Sequence, residues 1–93
     1  MSIEIQHDPE QNQLRVSGSL TIYHAGEAKA PLLAHHDAAL DLTGIEEMDG
    51  AGLQLLLLGL RDAGLRLVAA SEAVLDVLAL SGLQHLLTPG ENA

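Results

Sequence analysis

Apolar and polar residues alternate in two short runs near the start of the chain. Ile3 and Ile5 stand against Glu4 and Gln6, and Leu14 and Val16 repeat the pattern. A period of two marks half-buried strands, so these runs predict a pair of strands. The intervening DPEQN is turn chemistry, with Pro9 fixing one dihedral and Asn12 suited to a left-handed one, which makes the pair an antiparallel hairpin ending at Gly18. An alanine-rich stretch over 22–34, preceded by Thr21 as a cap, predicts a helix, and Pro31 inside it predicts a kink or a break because it cannot donate to the Glu27 carbonyl. AALDL and LRLVA are short apolar runs of the kind found in sheets covered by helices. Ser71 caps a last helix through Leu80, with Val74, Val77, Leu78 and Ser81 along one side and Gly82 as a left-handed stop. The order ββαβαβα implies an α/β fold: a mixed sheet of about four to five strands, helices packed on one face, crossovers right-handed.

The stretch DLTGIEEMDGAGLQLLLL passes from a strand through a carboxylate-rich turn into a helix that is apolar nearly all round. Asp49 stands where its carboxylate can accept from the amides of Ala51 or Gly52 and complement the helix dipole. Steps of 100° from Leu53 place Leu53, Leu56, Leu57, Leu60 and Gly64 on the core side, leaving Ala51, Leu55, Leu58 and Asp62 opposite. Leucines left in water forgo about 1.5–3 kcal/mol each, so Leu55 and Leu58 are expected to anchor a partner, with Gly50, Ala51 and Gly52 offering a close approach for another backbone.

Composition narrows the function classes. The chain has 93 residues, enough for one domain over 1–93, and its core is aliphatic because Tyr23 is its sole aromatic. Thirteen acidic residues against four scattered cations give a net charge of -9, which disfavours nucleic acid and anionic membranes. Cysteine is absent, so there is no disulfide or thiolate metal site. No apolar run approaches the roughly 20 residues of a spanning helix, and the N-terminus carries no signal peptide, so a cytoplasmic location is expected. Glu46, Glu47 and Asp49 around the glycine turn oppose a bound phosphate. His35 and His36 point apart on a helix, and His7, His24 and His85 stand alone, which gives no metal site. None of the serines sits in a nucleophile elbow. Neither catalysis nor a cofactor is expected.

LDLTGIEEMDGAGLQLLLLGLRDAG, together with VSGSLTIYHAGE before it and LDVLALSGLQHLL after it, resembles a STAS domain. That family includes the bacterial anti-sigma-factor antagonists and the MlaB-like small STAS subunits of lipid-trafficking ABC transporters. The resemblance implies regulation by protein–protein binding through Glu46, Glu47, Asp49, Gly50, Ala51, Gly52, Leu55, Leu58 and Asp62. In the phosphoswitch members the residue after the aspartate is a phosphorylated Ser or Thr. Here that position is Gly50, followed by Ala51, so the usual switch hydroxyl is missing. Thr43 and Ser71 are the nearest hydroxyls, each with an ordinary turn or cap role. The resemblance therefore implies a partner that is a kinase-like or other signalling protein, or else an ABC ATPase. A homodimer burying Leu55 and Leu58 is the third reading.

Overall fold

The computed structural model describes residues 3–87. Strands β1 (Ile3–Asp8) and β2 (Gln13–Leu20) pair antiparallel, with Ile5 opposite Val16. In the turn between them the Asp8 carboxylate accepts from the Glu10 amide at 3.0 Å, and Asn12 adopts φ 50°, the left-handed conformation its side chain tolerates. The chain continues through α1 (Ile22–Leu33), β3 (Ala39–Met48), α2 (Gly50–Asp62), β4 (Arg66–Ala70), α3 (Glu72–Leu80) and a 3₁₀ turn (Gln84–Leu86). The sheet order is β1-β2-β3-β4, with β3 parallel to both of its neighbours. Both crossovers advance in the same direction, so right-handed connections place α1 and α2 side by side on one face, where they touch. This is the mixed α/β layering that the element order implied.

Alternation along the strands separates the two faces of the sheet. Leu14, Val16, Leu40, Leu42 and Leu67 are all at most 1% exposed and meet Ala28, Leu32, Leu56, Val74 and Leu78 from the helices. On the opposite face Gln6, Arg15 and Asp41 lie in one cross-strand row, and Arg15 Nε approaches Asp41 at 3.5 Å. Burial works against the Asp41 charge, but the Thr43 amide and hydroxyl at 2.9 and 2.7 Å, with Arg15, outweigh it and hold the carboxyl below its ordinary range. A sheet with one packed and one polar face accounts for the period of two read in the first strands.

Several elements depart from the sequence-based expectation. β2 does not end at Gly18; that glycine takes φ 103°, the register shifts beside it, and the strand runs on to Leu20. The third strand extends well past Leu42, so Glu46 and Glu47 lie in β3 rather than in a turn. Helix α1 runs unbroken through Pro31, so of the kink or break expected there the break is not made. His35 and His36 follow α1 in a turn, and His35 stacks on His7 with ring centroids 3.9 Å apart, so neither His7 nor the His35–His36 pair is placed as expected.

The largest correction concerns α2. Its buried residues are Gly52, Leu55, Leu56 and Gly59, followed by Ala63 at the C-cap, whereas Leu53, Leu57, Leu58 and Leu60 are half-buried. Leu55, assigned to the solvent side, is only 5% exposed. Four successive leucines cover every side of a helix, so hydrophobicity alone cannot fix its rotation. The glycines fix it instead. A methyl group on Gly52 would overlap the Leu20 carbonyl, and one on Gly59 would press on the Leu65 side chain at 2.9 Å. The helix turns its bare backbone, and with it Leu55, toward the sheet.

Truncating Leu55 to alanine is expected to lower unfolding free energy by about 2–4 kcal/mol, as for a core leucine. Urea denaturation of the variant reads this directly, and a loss under about 0.5 kcal/mol would return Leu55 to the surface.

Candidate functional site

The C-terminal ends of β2 and β3 lie together, Leu20 beside Met48, and each strand feeds directly into a helix. Thr21 has the extended backbone of an N-cap, but its side chain caps nothing. The cap comes from the next strand: Asp49 Oδ2 accepts from the Ile22 amide at 3.0 Å, while its Oδ1 accepts from the Gly52 amide at 3.1 Å. One carboxylate therefore closes the N-termini of both α1 and α2. The Asp49 amide completes the junction by donating to the Leu20 carbonyl at 3.4 Å. The bonds from Ile22, then from Gly52, hold the Asp49 carboxyl below its ordinary range. Because folding favours the ionised form, this stabilisation is present above the ordinary aspartate pKa and is lost as pH falls through the depressed one.

Around this junction the surface is open and partly apolar. Ile22 is 68% exposed and Tyr23 89% exposed, side by side in the first turn of α1. Gly50 opens α2, exposed, with nothing within reach of an added Cβ and no left-handed φ to demand a glycine. Of the residues expected to form a partner surface, the structure brings Asp49, Gly50 and Ala51 together at the helix start, whereas Gly52 is buried there, its close approach taken by the Leu20 carbonyl of the chain itself. Glu46 and Glu47 are exposed on the strand leading in, where Glu47 accepts from the buried Ser19 hydroxyl at 3.0 Å. Leu58 is half-buried, and Asp62 lies at the far end of the helix, bonded to Arg61 at 2.8 Å. Leu55 faces inward. Of the two nearby hydroxyls, Thr43 donates to Asp41 at 2.7 Å and Ser71 accepts from the Val74 amide at 3.4 Å.

Ile22 and Tyr23 were missed by sequence reasoning, although a signal existed. Tyr23 is the only Phe, Trp or Tyr in the chain, and it stands in the first turn of a helix rather than among the apolar runs of the strands.

The family model described as "Mlab, STAS domain" matches residues 3–88. The chain belongs to this STAS domain family. STAS domains generally work by protein–protein interaction, and the match covers both the Asp49 junction and the sheet beneath it. No curated protein sequence matches the chain. Among the described residues no helix is long and apolar enough to cross a membrane.

Asp49→Ala removes two caps at once and is expected to cost about 2 kcal/mol, roughly one per helix, whereas Thr21→Ala should change stability by less than about 0.5 kcal/mol. Paired denaturation curves above pH 6 check the contrast, and equal effects of the two substitutions would refute the shared cap.

Proposed function

We propose that this STAS domain, acting as one unit over 1–93, is a non-catalytic adaptor of the anti-sigma-factor-antagonist type that grips a partner protein at the edge where α1 and α2 begin. The binding edge comprises Glu46, Glu47, Asp49, Gly50 and Ala51, extended along α2 by Leu58 and Asp62 and across to α1 by Ile22 and Tyr23, while Gly52 lies buried beneath it against the Leu20 carbonyl. The observation that carries this reading is the 89% exposure of the sole aromatic residue, beside an exposed Ile22 and next to the open helix start at Gly50. Tyrosine is enriched among interface hot spots. Gly50 has no hydroxyl where the phosphoswitch members carry one, so the domain would remain binding-competent without a phosphorylation cycle. Its work would then be cytoplasmic, on a kinase-like or other signalling protein.

A second reading is supported by the family match itself, whose description is of the MlaB type. In that case the partner is the ATPase of a lipid-trafficking ABC transporter, and a missing switch residue has no consequence. Both readings use the same edge.

Capture experiments from the native cytosol, with bound proteins identified by mass spectrometry, separate them. Gly50→Glu fits the open space at the helix start and places a carboxylate in the first turn, where the dipole favours it, so the variant is expected to fold at least as stably as the wild type. Both Gly50→Glu and Tyr23→Ala should lose the partner, and the partner's identity as a signalling protein or an ABC ATPase decides the pathway. Recovery of the same proteins by all three forms would reject this edge as the binding surface.

A further inference from the structure

Helices α1 and α2 start from the same carboxylate and run side by side, leaving an open groove of about 700 Å³ between them. Its walls repeat one arrangement. From α1 come Ala25 and Gly26 with Lys29 one turn on, and from α2 come Leu57 and Leu58 with Arg61 one turn on. Both cations lie toward the end away from Asp49, so the groove is uncharged near the junction, where Gln54 is its one polar side chain, and positive beyond it. Two of the four Lys and Arg residues line it and no carboxylate does, in a chain of net charge -9. Arg61 shares its charge with the adjacent Asp62, but Lys29 has no ion pair among the described residues.

Gly26 supplies the second observation. It stands in the second turn of α1 with helical backbone, and an added Cβ would meet nothing within 4 Å. Glycine weakens a helix interior relative to alanine, and no close contact among the described residues requires it here. The bare backbone leaves room for another backbone to come close from outside.

We infer that the α1–α2 groove receives an amphipathic helix of the partner protein, its leucine-type side chains against Leu57, Leu58 and Ala25 and its carboxylates on Lys29 and Arg61. This deepens the partner-binding reading above and rests on it. Close approach over Gly26 fits another backbone, and the placing of the cations gives the helix a direction: apolar residues toward the Asp49 junction, acidic residues away from it.

The test uses the full chain and two synthetic helical peptides of about 15 residues, with leucines three and four apart and flanked either by glutamates or by lysines. Amide resonances of Gly26, Lys29 and Leu58 should shift and saturate with the acidic peptide and stay still with the basic one. Lys29→Glu should weaken the acidic peptide about tenfold and admit the basic one. Gly26→Ala should act in opposite directions, raising the thermal midpoint by about 2–5 °C while weakening the peptide several-fold. Equal response to both peptides, no response, tighter binding by Gly26→Ala, or the same shifts produced by decanoate as by the acidic peptide would each overturn the proposal. If the peptides fail while Tyr23→Ala still loses the cellular partner, the groove is rejected and the edge stands. If both fail, the partner-binding surface itself is rejected.

Discussion

Two helices of this domain have their first turns closed by a single side chain. A parallel sheet delivers successive strands to the same edge, and each helix that follows begins with amides that need acceptors. Asp49 meets that need twice, for its own helix through Gly52 and for the neighbouring one through Ile22. The relative position of α1 and α2, and so the surface between and above them, depends on that carboxylate staying charged and in place. Its location at the end of β3, in register with the end of β2, is what makes both amides reachable.

Close packing completes the constraint. Gly52 lies against the Leu20 carbonyl, so the start of α2 cannot lift from β2 without breaking the junction, and it cannot carry a side chain without being pushed away. The contrast with Gly50 and Gly26 is informative. Gly52 is required by the fold, whereas the other two face open space. Two glycines that face open space, an exposed lone tyrosine and a lysine with no ion pair among the described residues all fall on the side of the molecule built from α1 and α2. That face is held rigid from beneath and left unfilled on the outside, the physical condition for recognising another protein without a large rearrangement.

Much of this architecture was legible in the chain. The alternation of Ile3, Ile5, Leu14 and Val16, the turn around Asn12, the Ser71 cap and the Gly82 stop each rest on short-range chemistry, and each stands where that chemistry places it. The residues 41–58 also announced the family, and Asp49 was recognisable as a cap. Its second partner was not, because Ile22 lies 27 residues away and only the parallel pairing of β2 with β3 brings it near. The rotation of α2 was misread for a related reason: a helix leucine-rich on every side gives no direction, and of the deciding contacts the one at Gly52 is made to the distant Leu20, while the one at Gly59 depends on how the chain folds back at Leu65. The extent of β3 was misjudged because Glu46 and Glu47 read as turn residues, although on an open sheet face charged side chains fit a strand equally well.

The claim that one carboxylate organises this edge can be tested by following the amide resonances of Ile22 and Gly52 through an acid titration. Both amides donate to the same group, so they should move together, with one common midpoint below the ordinary aspartate range. Separate midpoints, a midpoint at or above that range, or movement of Gly52 alone would mean that Asp49 caps only its own helix, and the account of a shared junction would fall.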